Sequence, residues 1–290
     1  SEVLNLNNQD HLLGFYNNPI PVSFLGKDLY MDNWCHRNMS YDVYKNIYLK
    51  EMDLVKEKYG KQIKIYSGLE CEYLPEHYYY YKSLRDDLDY LNLGLHFFKS
   101  NGKIINTYHE VDYKNVYDYA INAIMGMETG LFKTLVHPDL FMFEYKNKDG
   151  KREFDEYALK ASRAIIESAI KNDVYLEINA NGIANSEKFG INDTWLYPDI
   201  NFWKLVKEYK DAKIIIGADA HKLSALSCKA VDDVSNMAKI LQAPLTLITL
   251  NCDNIHPKAT KESRINSIIV RVFVTPPPPC ITFFNKKANK

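Results

Sequence analysis

Ile214-Ile215-Ile216-Gly217-Ala218-Asp219-Ala220-His221 sets a run of three β-branched residues directly before a carboxylate and an imidazole two positions apart. The run is a strand of the kind buried in parallel sheets. In α/β folds ligands bind beyond the carboxyl ends of such strands. A D-x-H pair there offers a hard oxygen and a borderline nitrogen on one side of an extended chain, which suits a divalent metal. A strand end with a capping Asp and an incidental His fits the same eight residues, so the pattern gains meaning only from ligands at other strand ends.

Such ligands exist. Glu70 follows the alternating stretch Ile63–Tyr66, His96 ends Leu88–Leu95, and His137 ends Phe132–Val136. Together with Asp219 and His221, four strand ends each carry a possible ligand. Each alone reads equally well as a satisfied structural residue, and it is their placement on one edge that argues for a metal site. The donors are carboxylate and imidazole without thiolate, which favours zinc, manganese or iron(II) in a hydrolytic site. A carboxylate can bridge two ions, and a bridged pair can activate a hydroxide for attack at phosphorus.

Helices separate these strands. Expected helices cover Tyr41–Tyr59, capped by Ser40 and ended by Gly60, then Glu76–Asp86, Tyr117–Thr129, Phe154–Lys171, Phe202–Tyr209 and Lys229–Leu241. In the first, Val43, Ile47, Met52 and Val55 share a face; in the fourth, Ala158, Ala161, Ile165 and Ala169 do. Val174–Asn179 is a further strand, and Asn179-Ala180-Asn181-Gly182 reads as a strand-end turn in preference to Asn179 and Asn181 lining the pocket. Regular βα alternation implies a parallel sheet, and this many units imply a barrel.

Composition narrows the class. The 290 residues suffice for one large core. A net charge of −1 gives no basic excess, so neither nucleic acid nor an anionic membrane is expected as a partner. The five cysteines, Cys35, Cys71, Cys228, Cys252 and Cys280, are scattered without C-x-x-C, which fits a reducing cytoplasm. No apolar run approaches the roughly 20 residues of a membrane span. The chain opens Ser1-Glu2-Val3, and a preceding segment is expected. Residues 1–258 are expected to form one domain and 259–290 an irregular tail, with Pro276–Pro279 and a basic end.

The ordered phrases G-L-E-C-E-Y (68–73), G-L-H-F-F (94–98), V-H-P-D-L-F (136–141), E-I-N-A-N-G (177–182) and G-A-D-A-H (217–221) resemble the PHP family, in particular its histidinol-phosphatase branch. Asn38-Met39-Ser40-Tyr41-Asp42 and Pro19-Ile20-Pro21 are similar to that branch as well, and the likeness spans about residues 12–245. The resemblance implies a distorted seven-stranded βα barrel with up to three metals, hydrolysing histidinol phosphate to histidinol and phosphate in histidine biosynthesis. By position, Glu70 resembles the bridging ligand and a catalytic group, with His96 and His137 completing the second metal site. Asp219 resembles a first-site ligand and catalytic carboxylate, and His221 a ligand of the third metal. Asp139 is expected to orient His137 or its strand end. Arg37 is a candidate for gripping the substrate phosphate, against the plainer reading of a solvated loop arginine.

The chain also departs from the family. It holds no H-x-H, the pair that opens the family's first strand and supplies two ligands of the first metal. The first strand–helix unit is therefore expected to be absent. Alternatives to a histidinol phosphatase are a degenerate member that binds metal or ligand without turnover, and a phosphatase for another small phosphomonoester.

Overall fold

The computed structural model describes residues 46, 48–61, 65–188, 195–219 and 229–240. Helix α1 spans Leu49–Tyr59, followed by strand β1 (Gly68–Cys71), a 3₁₀ turn (Pro75–His77), α2 (Tyr78–Asp87) and β2 (Tyr90–Leu93). The hairpin β3 (Phe97–Ser100) and β4 (Lys103–Asn106) leads to α3 (Val116–Glu128), β5 (Phe132–Leu135), a second 3₁₀ turn (Leu140–Met142) and α4 (Glu156–Lys171). Next come β6 (Tyr175–Asn179), α5 (Ala180–Lys188), α6 (Ile200–Val206), β7 (Ile214–Gly217) and α7 (Lys229–Ile240).

Five strands form one sheet in the order β1-β2-β5-β6-β7. Every pairing within it is parallel. All four residues of β7 are buried, as are four of the five in β6, because helices cover a parallel sheet on its faces. The parallel α/β class is as expected. Among the described residues the strands form a row bounded by β1 and β7, and no pairing closes it into a barrel.

Local chemistry explains most boundaries. Asp155 caps α4 by accepting from the backbone N–H groups of Tyr157 and Ala158, both at 3.0 Å. Ala158, Ala161, Ile165 and Ala169 face the core, the stripe expected from their spacing. Asp199 caps α6 in the same way through Asn201 N–H at 2.9 Å. The described part of the first helix differs from expectation, since Val55 is exposed. Val43 and Ile47 lie outside the described residues, as do the boundary at 258, the tail and the cysteines other than Cys71.

The first strand is displaced from the alternating stretch. The strand is Gly68–Cys71, and Ile65 and Tyr66 precede it as irregular chain. Pairing decides this. Asp89 Oδ2 accepts from Ser67 N–H at 2.6 Å, and Gly68 stands opposite Tyr90. A Cβ on Gly68 would come within 2.5 Å of the Tyr90 ring, so only glycine allows this register. Glu70 is therefore a residue of β1 and does not follow it.

Candidate metal centre

Glu70 lies in β1, His96 in the link from β2 to the hairpin, and His137 two residues past β5. These three strands are neighbours in the sheet, so their carboxyl ends meet at one edge. Two imidazoles converge on one carboxylate oxygen there. His137 Nε2 is 3.1 Å from Glu70 Oε1, and His96 Nε2 is 3.4 Å from the same atom. One ligand atom from each residue lies within 4.8 Å of the others. The His96 and His137 rings stand edge to face with centroids 4.9 Å apart. Gly94 makes room for this, because a Cβ there would sit 2.9 Å from Glu70 Cγ.

Glu72, two positions beyond Glu70 on the same run, is buried and accepts a hydrogen bond from His96 Nδ1 at 3.0 Å. That bond makes Nδ1 a donor to Glu72 and aims Nε2 at Glu70, the arrangement in which a carboxylate orients a metal-binding histidine once Nε2 gives up its proton. Burial works against charge on His96. The Glu72 bond and the charges of Glu72, Glu70 and Asp219 outweigh it and raise its pKa from 6.5 to about 9. The same concentration of negative charge favours a divalent cation. Two imidazoles and a carboxylate, converging at a buried point with a glycine cradle and a carboxylate behind one imidazole, fit zinc, manganese or iron(II).

Backbone strain marks the same edge. His137 has φ 34° and Asp219 φ 46°, left-handed values that cost a non-glycine residue about 1 kcal/mol or more. Both follow strands and both are candidate ligands.

Asp219 forms the centre of a neighbouring polar group rather than part of the Glu70–His96–His137 cluster. Its Oδ2 accepts from Asn179 Nδ2 at 3.1 Å and Asn181 Nδ2 at 3.3 Å. Asn179 Nδ2 also reaches Glu177 Oε1 at 3.2 Å, and Glu177 is fully buried on β6. Gly217 lies against Glu177, where any Cβ would collide with its carboxylate. The expected strand-end turn at 179–182 is thus replaced: Asn179 ends β6, Asn181 lies in α5, and both amides hold Asp219. His221 and Arg37 lie outside the described residues.

Of the two roles expected of Asp139, orienting His137 or fixing its strand end, the structure shows the second. Asp139 does not bond the His137 ring, whose Nδ1 has no partner among the described residues. Its Oδ2 accepts from Asp199 N–H at 2.5 Å and Trp203 Nε1 at 3.0 Å, tying the chain after β5 to the start of α6. Burial, then the nearby Asp199 charge, pushes its pKa up to about 7 against these bonds. Arg152 fastens the same region, donating from Nε to Met142 O at 2.7 Å and from Nη2 to Leu196 O at 2.7 Å. Tyr197, beside Leu196, packs its ring edge-on to His137 with centroids 6.2 Å apart. Tyr108 stacks on His96 at 6.1 Å and 11°.

Glu72, Gly94, Glu177, Tyr108 and Tyr197 were not among the residues singled out from sequence. For Glu72 a signal exists, since residues two apart in extended chain share a face. For the others the contact is tertiary and leaves no local pattern.

No protein-family model matches the chain. No curated protein matches it either. Solved structures do. A protein from Listeria monocytogenes described as a candidate histidinol phosphatase, hisK, superposes with a TM-score of 0.53 at 18% identity, covering 67% of this chain and 76% of that one. A histidinol phosphate phosphatase from Lactococcus lactis subsp. lactis, complexed with zinc, L-histidinol and phosphate, superposes with a TM-score of 0.52 at 15% identity, covering 69% of this chain and 75% of that one. At these identities the likeness is one of architecture: this chain carries the α/β fold of proteins described as histidinol phosphatases, with a Glu–His–His cluster at the edge of its parallel sheet.

Proposed function

We propose that the chain is a metal-dependent phosphomonoesterase acting on a small phosphorylated metabolite, with histidinol phosphate as the substrate. The observation that carries this reading is the convergence of His96 and His137 on one oxygen of Glu70 at adjacent strand ends. A divalent ion held there would polarise the phosphoryl oxygens and ease deprotonation of the attacking water. Glu70 would share its carboxylate with that ion, and Glu72 keeps His96 in the tautomer that presents Nε2. Asp219, fixed by Asn179 and Asn181, supplies a second carboxylate for a further ion. His221 and Arg37 are proposed as a further metal ligand and a phosphate grip from outside the described residues. The fold shared with a zinc-, histidinol- and phosphate-bound phosphatase supports the substrate assignment. Among the described residues no helix is long and apolar enough to cross a membrane. The scattered cysteines suit a reducing cytoplasm, and a net charge of −1 gives no basic excess for nucleic acid or an anionic membrane.

A second reading is a member of the fold that binds metal without turnover, since the 290 residues hold no H-x-H. Phosphate release from histidinol phosphate with added manganese or zinc, with bound metal counted on the same sample, separates the two. The first reading expects turnover that falls at least about a hundredfold in His137→Ala. Bound metal with no turnover on histidinol phosphate or on a general aryl phosphate would leave the second.

A further inference from the structure

Glu177 and Asn179 stand two residues apart on β6, so their side chains share a face. Both are fully buried. In register, Glu177 stands opposite Ile215 of β7 and Asn179 opposite Gly217. The Glu177 carboxylate runs toward the carboxyl end of the strand and lies against Gly217, where any Cβ would collide with it. The same device serves Glu70, which lies against Gly94. Glu70 is one of the three cluster residues, whereas Glu177 is not. A fully buried carboxylate is costly to keep, and an apolar residue would fill the same place in a parallel sheet more cheaply.

What Glu177 holds is the amide of Asn179. Asn179 Nδ2 reaches Glu177 Oε1 at 3.2 Å and Asp219 Oδ2 at 3.1 Å. Its Oδ1 accepts from Gly182 N–H at 3.0 Å. These three contacts allow one amide orientation, with the nitrogen between the two carboxylates. Turned over, the amide would set its oxygen against both carboxylates and its nitrogen against an N–H donor. Asp219 needs such support. Its backbone is left-handed, at φ 46°, a state that persists only where surrounding contacts hold it. Asn181 Nδ2 reaches the same Asp219 oxygen from α5 at 3.3 Å. The charge of Asp219 also favours protonated His96, which places it beside the cluster.

We propose that Glu177 is a positioning residue: acting through Asn179, it holds the Asp219 carboxylate in the pose that takes the further metal ion. The inference rests on the reading of Asp219 as a second metal-binding carboxylate and adds the residue behind it.

Manganese titration of the full chain, with free ion read by electron paramagnetic resonance, tests it. The ion at issue is the one that Asp219→Asn weakens and His137→Ala leaves in place. Glu177→Met keeps the length of the side chain and removes the acceptor, and it should weaken this ion about tenfold. Made in Asn179→Ala, the same change should add less than about twofold, since the link is already cut. Made in Asn181→Ala, it should keep its full effect. Glu177→Asp, which draws the carboxylate back by one methylene, carries the same cycle if the methionine variant does not fold. An effect of Glu177→Met equally large without Asn179 overturns the inference, because Glu177 would then act by its charge or packing alone. So does affinity within about twofold of the parent, or equal loss of the ion that His137→Ala removes. A parent in which no ion depends on Asp219 overturns it as well. In each of these cases the phosphatase reading stands as long as the chain releases phosphate from histidinol phosphate. A parent with no bound ion and no phosphate release removes both.

Discussion

Glu70 Oε1 is the atom on which the candidate centre turns, and the residues behind it decide whether it can serve. Glu72 carries no contact to the point of convergence, yet it fixes the His96 ring through Nδ1. Glu72→Gln keeps the shape and removes the charge, so affinity for zinc should fall roughly tenfold to a hundredfold in a competition titration against a chelating dye. Gly94→Ala should lose metal more completely, since its new Cβ would occupy space now held by Glu70. Unchanged zinc affinity in both variants would mean that the three residues meet for packing alone. At this scale the sequence was informative about ligand types. Carboxylate and imidazole were legible at Glu70, His96 and His137 before any geometry. Gly94 was not, because a glycine that admits a distant carboxylate looks like any other glycine in a loop.

Among the elements, the placing of β1 depends on one side chain. Asp89 Oδ2 accepts from Lys56 Nζ on α1 at 2.6 Å and from Ser67 at both N (2.6 Å) and Oγ (2.9 Å). It joins helix, strand entry and the turn before β2. Partial burial favours the neutral acid, but the bonds from Lys56 and Ser67 prevail and hold its pKa below the ordinary 3.8. A carboxyl with a depressed folded pKa contributes stability above its unfolded pKa and loses it as pH falls through the folded value. Asp89→Asn should therefore lower the thermal midpoint at pH 7, and the gap to the parent should close as pH drops below about 3.8. A gap independent of pH would show that the charge is not what matters. The strand expected at Ile63–Tyr66 came from alternation alone, whereas register against β2 and the bonds of Asp89 placed it at Gly68–Cys71. The β3–β4 hairpin did carry a local signal. Asn101-Gly102, with φ 48° and 75°, is the two-residue turn that hairpins prefer.

For the molecule as a whole, the candidate centre ties together β1, the link after β2 and the chain after β5, all of which are separate in sequence. A ligand that binds only the folded state stabilises it by mass action, about 2.7 kcal/mol at a hundredfold excess over Kd. Zinc or manganese should accordingly raise the thermal midpoint by several degrees, a chelator should reverse the rise, and His137→Ala should abolish it. A midpoint indifferent to metal in the parent would count against the site.

The sequence by itself determined the α/β alternation, the apolar stripe Ala158–Ala169, and the ligand types standing near strand ends. All of these follow from local spacing and residue chemistry. Only the tertiary structure decided that β5 lies beside β2, so that His137 meets Glu70 across 67 positions of chain. It also decided that Asn179 and Asn181 hold Asp219, and that Asp139 ties the strand end at His137 to α6. Strand neighbours are chosen by burial and pairing summed over the whole sheet, and no window of sequence contains that sum.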